Sequence, residues 1–381
     1  MTLFKLYPLI QALIIVIFFI RPIRCSLKTK LIISAILLVG TFKLYVFIFT
    51  GGNAMDPKLS RISTMFLSCL YFSSLMVLML TIFRMCINGL YKAVRRNISK
   101  FIINPHSLRY ALLSVTVSLL LGTVSVYNGF KPASLCSYTV NIDSLSPLAD
   151  GMRIIHLSDL HISAPTTEEE IKEIVKEVNK RNAEIIVITG DLVDGEVEYL
   201  KKKTDILFKL KAKYGVYAVS GNHEFYSGYD KWIEYFNKGG IKFLENDSVT
   251  IFDNDYPLLN ICGITDATAY KYSDKKADIP SAIKNVVSDA PVIFLTHQPK
   301  VADELSAISD LTLAGHTHGG LFPVLKSLVA AANHGYVSGF YTIGKEKMIV
   351  SNGTRIWAGI PLRLKTPAQI IEITLKRTNS F

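Results

Sequence analysis

The chain has 381 residues, of which 50% are hydrophobic and only 19% are charged. Together with a mean hydropathy of +0.31, these fractions exclude a disordered chain. The hydrophobic fraction and the hydropathy are too high for a wholly soluble enzyme. The length leaves room for two domains, or for one domain and a membrane module. The five cysteines show no close pair, which argues against a disulfide framework or a zinc knuckle.

The net charge of +11 is unevenly distributed. Residues 1–150 contain 15 Lys+Arg and 3 Asp+Glu, a net of +12, and residues 151–381 contain the remaining 27 and 28, a net of −1. The basic excess lies in the apolar half, where it is expected to orient membrane spans rather than to bind nucleic acid. We therefore predict a transmembrane module over 1–128, a linker over 129–150 and a catalytic domain over 151–381.

Four apolar runs are candidates for membrane spans: Leu6–Ile20, Leu31–Thr50, Ile62–Phe83 and Leu108–Tyr127. A spanning helix needs roughly 17–25 apolar residues, a length that the last three runs reach. The first run is short and could be read as a signal peptide. It ends in two arginines and a proline without a small-residue cleavage site, so a retained span is favoured.

The basic residues of the loops predict the orientation of these spans. Ten of them lie in the first and third loops: Arg21, Arg24, Lys28, Lys30, Arg84, Lys92, Arg95, Arg96, Lys100 and Arg109. The opposite side has four: Lys5, Lys58, Arg61 and Lys131. The first and third loops are therefore expected in the cytoplasm, and four spans place the catalytic domain on the extracytoplasmic side of the cell membrane. The loss of one span would reverse this prediction. Lys43, inside the second run, is expected to reach the interface or the bundle interior.

After residue 150 the pattern alternates between apolar strands and polar-faced helices. An edge strand is expected near Leu135–Val140. The predicted strands that follow are Arg153–Leu157, Glu184–Thr189, Val216–Ser220, Val249–Phe252, Leu258–Ile264, Val292–Leu295, Leu311–Ala314, Gly339–Ile343, Lys347–Val350 and Ile370–Thr374. The predicted helices are Thr167–Arg181, Glu196–Lys211 and Tyr229–Lys238. This order predicts an α/β sandwich of two mixed sheets with helices outside.

Polar clusters follow five of these strands. They are Asp159-Leu160-His161, Gly190-Asp191, Gly221-Asn222-His223-Glu224, Thr296-His297 and Gly315-His316-Thr317-His318. Residues just beyond the carboxyl ends of strands in an open α/β sheet converge on one crevice. Seven side chains there offer carboxylate, amide and imidazole ligands without a thiolate. Such a set suits Mn²⁺, Fe²⁺, Zn²⁺ or Co²⁺, and seven ligands with one bridging carboxylate fit a centre of two metal ions.

The five blocks, in this order and spacing, resemble the signature of the calcineurin-like metallophosphoesterase superfamily. The resemblance covers about residues 150–375, and the tail is similar to a membrane-anchored bacterial branch. It implies a four-layer α/β/β/α sandwich, here preceded by about four transmembrane helices. The branch often has Gln or Arg soon after the two glycines, whereas Leu321-Phe322-Pro323 stand here. That departure concerns substrate selection.

The resemblance also implies roles for individual residues. Asp159, His161, Asp191 and His318 would hold the first metal. Asp191 would bridge to a second metal, completed by Asn222, His297 and His316. His223 would face the substrate and assist the leaving group instead of binding metal. Arg355 and Arg363 are further candidates for contact with an anionic substrate.

These residues predict a membrane-anchored hydrolase of phosphate mono-, di- or pyrophosphate esters. The anchor favours a lipid or cell-envelope substrate, and no nucleic acid is expected. One alternative is a hydrolase similar to UDP-2,3-diacylglucosamine pyrophosphatase, which would need a cytoplasmic active site. Another is a receptor or transporter with a degenerate phosphoesterase domain, although the full ligand set argues against degeneracy. The sequence leaves the substrate, the metal and the oligomeric state open.

Overall fold

The computed structural model describes residues 2–95 and 101–378. Its contacts divide the chain into two units. The first comprises Met1–Asn128 with Gly359–Leu362, and the second comprises Gly129–Ala358 with Arg363–Phe381.

The first unit is helical. Its helices are α1 (Thr2–Ile14), continued by a π-helical segment (Ile15–Ile20), α2 (Leu27–Thr41), α3 (Lys43–Phe49), α4 (Arg61–Arg95) and α5 (Leu108–Gly129). In the described part of the chain, α4 and α5 are long and apolar enough to cross a membrane, and α2 with α3 forms a pair bent by 60° that would be a third span. The run Leu6–Ile20 is a shorter apolar helix. The prediction of four spans is therefore not confirmed; two or three are supported.

Helix α4 extends beyond the apolar run from which it was predicted, because it continues from Phe83 to Arg95. Arg84 therefore lies within the helix and not in a loop, which corrects the loop assignment. Its side chain is buried and donates to the carbonyl oxygen of Phe18. Lys92 also lies within α4, whereas Arg96 and Lys100 fall outside the described residues.

Lys43 lies in the interior of the helical unit, one of the two locations expected for it. Its side chain is buried, and its ammonium nitrogen lies 4.4 Å from the ring centroid of Tyr71 and 5.3 Å from that of Phe47. Aromatic faces stabilise a cation that is removed from water. These contacts thus explain why the lysine can be buried, and the explanation does not depend on a functional role.

In its described residues, the second unit contains twelve strands in two six-stranded sheets. The strands are β1 (Ser134–Ile142), β2 (Arg153–Leu157), β3 (Ile185–Thr189), β4 (Val216–Val219), β5 (Ile241–Phe243), β6 (Asp247–Asp253), β7 (Tyr256–Gly263), β8 (Val292–Leu295), β9 (Leu311–Ala314), β10 (Gly339–Ile343), β11 (Glu346–Val350) and β12 (Gln369–Arg377). The strand orders are β1-β12-β2-β3-β4-β5 and β10-β11-β9-β8-β7-β6. Both sheets mix parallel and antiparallel pairs, as predicted.

Helices accompany both sheets. They are α6 (Glu168–Asn179), α7 (Val197–Thr204), α8 (Asn222–Ser227), α9 (Tyr229–Lys238), α10 (Ile279–Ile283), α11 (Ala302–Leu305) and α12 (Pro323–Ala332). Thr167 caps the start of helix α6. Its hydroxyl accepts from the backbone N–H of Glu170, and the Glu170 carboxylate accepts from the N–H of Thr167. This reciprocal capping satisfies two amide donors of the first turn.

The central core lies between the two sheets. Strand residues that face inward, such as Ile154 and Val187 of the first sheet and Ile261 and Ile293 of the second, form one buried cluster. A second cluster joins the other face of the first sheet to α6, α7 and α9, and a third joins the second sheet to α10 and α11. Because the central strands are buried on both faces, they read as continuous apolar runs in the sequence.

Some elements differ from their predicted extent. Helix α7 ends at Thr204, and a 3₁₀ segment, Asp205–Lys209, continues the predicted run to the vicinity of Lys211. Strand β5 and helices α8 and α10–α12 are additional to those expected. They are short or, for α12, lack the polar face on which the helix predictions depended.

Candidate metal centre

The seven predicted ligands follow the carboxyl ends of five strands. Asp159 and His161 follow β2, Asp191 follows β3, Asn222 follows β4, His297 follows β8, and His316 and His318 follow β9. Six of them are buried, and His316 is partly buried. Both sheets contribute, since β2, β3 and β4 belong to the first and β8 and β9 to the second.

An unusual local backbone conformation accompanies most of these site residues. Five of the seven residues have positive φ angles, and they are Asp159 (51°), His161 (43°), Asp191 (53°), His316 (70°) and His318 (48°). Asp and His adopt this region more readily than most residues, but at a cost in energy. Such outliers gather at functional sites when the surrounding structure enforces them.

One group of ligand atoms is formed by Asp159, His161 and His318. The Nε2 atoms of the two histidines lie 3.1 Å apart, and the Nε2 of His318 lies 3.5 Å from Oδ1 of Asp159. The carboxylate of Asp159 is held by the hydroxyl of Ser158, at 2.6 Å, and by the backbone N–H of His316. These contacts fix the three ligands around one point.

A second group is formed by Asp191, His297 and His316. The Nε2 of His297 lies 3.1 Å from the Nδ1 of His316 and 3.2 Å from Oδ2 of Asp191. The Nδ1 of His297 donates to the carbonyl oxygen of Thr189 at 2.8 Å, so Nε2 is the nitrogen that faces the group. Burial lowers the pKa of His316 to about 3, which keeps the imidazole neutral and able to bind a metal.

Asp191 lies between the two groups. Its Oδ2 is 3.2 Å from the Nε2 of His297 in the second group and 3.6 Å from the Nε2 of His161 in the first. Its Oδ1 accepts from the backbone N–H of His223 at 2.9 Å. A carboxylate in this position is suited to bridge two cations.

The donor set fits a pair of divalent ions. Imidazole nitrogens of His161, His297, His316 and His318 face one another and face carboxylates. The Oδ1 of Asn222 is buried and has no hydrogen-bond partner among the residues that the structure describes. Buried polar atoms without a partner are rare because their desolvation is not repaid. A cation coordinated by these atoms would satisfy each of them, as nitrogen and oxygen ligands without thiolate suit the borderline-hard metals.

Asp194 is part of the site and was not predicted from the sequence. Its carboxylate accepts from the Nδ1 of His161 at 3.1 Å and also pairs with the Nδ1 of His223. The side chain is fully buried, and the two histidines hold the pKa of Asp194 below its usual range even though burial by itself would raise it. The available signal was its spacing, three residues after Asp191 beyond the same strand.

His223 lies beside the ligand groups without belonging to either of the two described above. Burial by itself would lower its pKa, but the carboxylates of Asp191 and Asp194 raise the pKa of His223 to about 9. Its Nε2 lies 3.9 Å from Oδ2 of Asp191. The rings of Tyr226 and Trp357 pack against it, with centroid distances of 5.2 and 5.7 Å.

Glu224 supports the loop that carries Asp191. One carboxylate oxygen accepts from the backbone N–H groups of Asp191 and Gly221, and the other accepts from those of Leu192 and Val193. The side chain is fully buried. The glutamate therefore orders the turn and is not itself directed at the metals.

Two glycines of the motifs are required by close approach. A Cβ atom on Gly221 would lie 2.2 Å from Oδ1 of Asp191, and one on Gly315 would lie 1.8 Å from Oγ of Ser158 and 2.5 Å from Oδ2 of Asp159. These positions have no room for a side chain because the hydroxyl of Ser158 and the carboxylates of Asp159 and Asp191 occupy the space.

The two arginines considered for substrate contact donate hydrogen bonds to other groups of the protein. Arg355 donates to the carbonyl oxygen of Leu160, to the hydroxyl of Thr166 and to the carboxylate of Glu170. Arg363 is also buried, and its guanidinium donates to four backbone carbonyl oxygens, those of Asn352, Gly353, Arg355 and Thr366. These side chains tie loops around the site together.

Comparisons with known proteins agree with this geometry. The family model for calcineurin-like phosphoesterases matches residues 152–320. A metallophosphoesterase of Aquifex aeolicus is 32% identical over 242 residues, which cover 63% of this chain and 90% of that protein. A Helicobacter pylori metallophosphoesterase is 36% identical over 257 residues, about two thirds (66%) of each chain.

A transmembrane protein with a metallophosphoesterase domain from Danio rerio is 29% identical over 334 residues. That match covers 85% of this chain and 76% of the relative, so it extends well beyond the second unit. Among solved structures, calcineurin-like phosphoesterase YfkN from Bacillus subtilis has 18% identity and a TM-score of 0.34 over 54% of this chain and 82% of that one. The sequence relatives and the family model show that this chain belongs to the calcineurin-like phosphoesterase family.

Proposed function

We propose that this protein is a membrane-anchored phosphoesterase that uses two divalent metal ions to hydrolyse phosphate mono-, di- or pyrophosphate esters. The observation that supports it most is the position of Asp191 between two groups of buried ligands, one with Asp159, His161 and His318 and the other with His297 and His316. The buried Asn222 oxygen without a partner supplies the seventh ligand.

The metal pair, when bound, would activate a water molecule and neutralise charge on the phosphoryl oxygens. The protein itself orients the ligands through Ser158, Thr189 and Asp194, which accept from or donate to them. Because these partners are buried and fixed, the site does not need to reorganise during the reaction.

His223 is the proposed acid for the leaving oxygen. Its Nδ1 is paired with Asp194, so its Nε2 is available for the substrate. The neighbouring carboxylates of Asp191 and Asp194 favour the protonated imidazole, and a positioned histidine can then donate that proton to an alkoxide as the ester bond breaks. Asp194 would stabilise the charged ring before this transfer.

The membrane helices support a substrate at the bilayer, such as a phospholipid, a lipid-linked pyrophosphate or a cell-envelope phosphodiester. Four spans are not confirmed, but the side does not depend on their number, because Arg96, Lys100 and Arg109 favour the cytoplasm for the segment that precedes α5. Helix α5 would then lead to the extracytoplasmic side, where the second unit, the catalytic unit of this proposal, would lie. A reporter fused after residue 381 tests the side. Its activity in the cytoplasm would contradict this part of the proposal and would favour a cytoplasmic pyrophosphatase.

The catalytic proposal is tested with the full-length protein purified in detergent. Hydrolysis of bis-p-nitrophenyl phosphate with Mn²⁺ is compared for the parent, Asp191→Ala and Asn222→Ala, and the bound metal is measured by elemental analysis. We expect two ions per folded parent chain, and both variants to lose activity and part of the metal.

Asp255→Ala is the matched control, since Asp255 is exposed on a turn and should retain both metals and activity. Equal activity of the parent and the Asp191 and Asn222 variants would reject the proposed site. A parent that folds and binds two metals but hydrolyses no phosphoester would instead support a binding protein.

A further inference from the structure

Helix α12 (Pro323–Ala332) is an apolar helix that does not bury a single residue. Val324 is 58% exposed and Leu328 is 68% exposed, and Ala331 lies one turn further along the same side. This spacing of four and three residues places the three apolar side chains on one face of the helix. In the described part of the catalytic unit, α12 alone is a helix of this apolar composition at ten or more residues.

The charged side chains of residues 311–345 are of one sign, and the carboxylate of Asp303 pairs with His334 just beyond the end of α12. No acidic residue occurs between Asp310 and Glu346, whereas Lys326 is exposed within the helix and Lys345 is exposed beyond it. An apolar face accompanied by lysines and free of carboxylates is the composition of helices that lie in the interface of an anionic bilayer. A basic or strongly polar protein partner would not fit this face.

Helix α12 follows the metal centre closely along the chain. It begins five residues after the ligand His318, and the intervening Phe322 is buried. A Cβ atom on Gly320 would lie 2.9 Å from Cα of Lys326, so the turn that contains His318 packs closely against the first part of α12. The side of α12 that carries Lys326 therefore faces this turn, and the helix is held in place by the segment that carries the ligand His318.

A short connection to helix α5 would keep the catalytic unit at the surface of a bilayer. Helix α5 is long and apolar enough to span a membrane and ends at Gly129, and the first strand of the catalytic unit begins at Ser134. Four residues connect them, a distance of at most about 18 Å when fully extended. The catalytic unit cannot leave the surface of a membrane in which α5 is embedded.

We propose that α12 is a membrane-docking helix that inserts Val324, Leu328 and Ala331 into the bilayer surface beside the metal centre, so that the enzyme acts on the phosphoester of a membrane lipid. The proposed lipid substrate rests on the proposed function. The docking itself does not, and it is measured separately.

Docking is measured on the full-length protein in vesicles of phosphatidylcholine and phosphatidylglycerol. An environment-sensitive dansyl amino acid is incorporated in place of Leu328, and brominated phosphatidylcholine serves as the quencher. The positive control carries the label in place of Leu120, which is exposed on α5, and the negative control carries it in place of Tyr199, which is exposed on α7.

We expect the lipid to quench the labels at positions 328 and 120 but not the label at 199. Position 328 behaving like position 199 would overturn the proposal. A label at 328 that is shielded from water yet unquenched by brominated lipid would also overturn it, since a second copy of the chain or another protein would then cover the helix.

The substrate is tested with two chromogenic phosphodiesters that share a leaving group: phosphatidyl-p-nitrophenol in vesicles and soluble bis-p-nitrophenyl phosphate. The double variant Val324→Glu, Leu328→Glu should lose at least about ten-fold in activity on the lipid relative to the soluble ester, because carboxylates oppose insertion. Tyr199→Glu should change neither rate. An unchanged ratio of the two activities would overturn the proposed lipid substrate. Failure of the parent to hydrolyse either ester would reject the proposed function. The quenching of the label at position 328 would then still test docking.

Discussion

The Nδ1 atom of His161 lies 3.1 Å from the carboxylate of Asp194. This pairing directs the Nε2 of His161 toward His318 and Asp191. A carboxylate behind a metal-binding imidazole sets its tautomer and increases its basicity. Because Asp194 also pairs with His223, one buried side chain orders both a ligand and the proposed acid.

Asp194→Asn should therefore impair metal binding and catalysis together. We expect a loss of about 10–100-fold in metal affinity or in kcat/KM, because an amide holds the two histidines less firmly and does not stabilise a charged ring. Metal titration and steady-state kinetics measure these effects. Asp255→Asn, at an exposed turn position, serves as the control, and a wild-type metal affinity in Asp194→Asn would contradict the assigned role.

Gly221→Ala should displace the bridging carboxylate, because the new methyl group would lie 2.2 Å from Oδ1 of Asp191. Displacement of a catalytic group by about 1 Å can reduce activity by about 100-fold, so a loss approaching that size is expected. Gly89→Ala is a matched control, since a Cβ there meets nothing within 4 Å. Metal content and kcat are measured for both, and full activity of Gly221→Ala would show that the turn relaxes freely.

Glu346→Gln should stabilise the protein above neutral pH. Burial raises the pKa of Glu346 from 4.5 to about 7, and one of its carboxylate oxygens has no partner. Because the folded pKa is raised, the contribution to stability is present below about pH 4.5 and is lost as the pH rises through 7. The difference amounts to at most about 3 kcal/mol.

Thermal unfolding of the detergent-solubilised protein at about pH 5 and pH 8 measures this effect. The midpoint of Glu346→Gln should exceed that of the parent by more at the higher pH. Glu304→Gln, at an exposed position, should show no such change with pH. An equal difference for Glu346→Gln at both values would mean that the carboxyl does not titrate in this range.

Removal of metal should destabilise the catalytic unit. Asp159 and Asp191 are almost fully buried, and their charges would lose the cations that compensate them. A ligand present at about 100 times its dissociation constant stabilises a fold by about 2.7 kcal/mol, so EDTA should lower the unfolding midpoint and Mn²⁺ should restore it. The midpoint of Asp191→Asn should respond less to EDTA. An identical response would place the stabilising ion elsewhere.

The sequence predicted much of the fold because the elements concerned have strong local signals. Strands β8, β9 and β10 and helix α9 have their predicted bounds, since each is delimited by Gly, Pro or charged residues. Helix α12 was missed, because an apolar stretch without a polar face does not reveal whether it is a buried helix or an exposed one.

The residues proposed to hold the metals were predictable because their types and positions agree. Asp159, Asp191 and Asn222 end consecutive strands, and parallel strands bring their carboxyl ends to one edge. That argument needs only spacing, strand period and ligand chemistry. The family membership shown by the comparisons could be inferred from the same residues.

Other relationships depend on contacts between distant parts of the chain. The β1–β12 pair joins residues 134–142 to 369–377, and no local pattern specifies such a partner. The orientation of Asp194 toward two histidines and the exposure of Val324 and Leu328 depend equally on which surfaces pack together. The sequence alone thus determined which side chains can bind metal and where strands begin and end. The tertiary structure decided which groups orient those ligands and which apolar surface remains uncovered, because side-chain direction and burial are set by long-range packing.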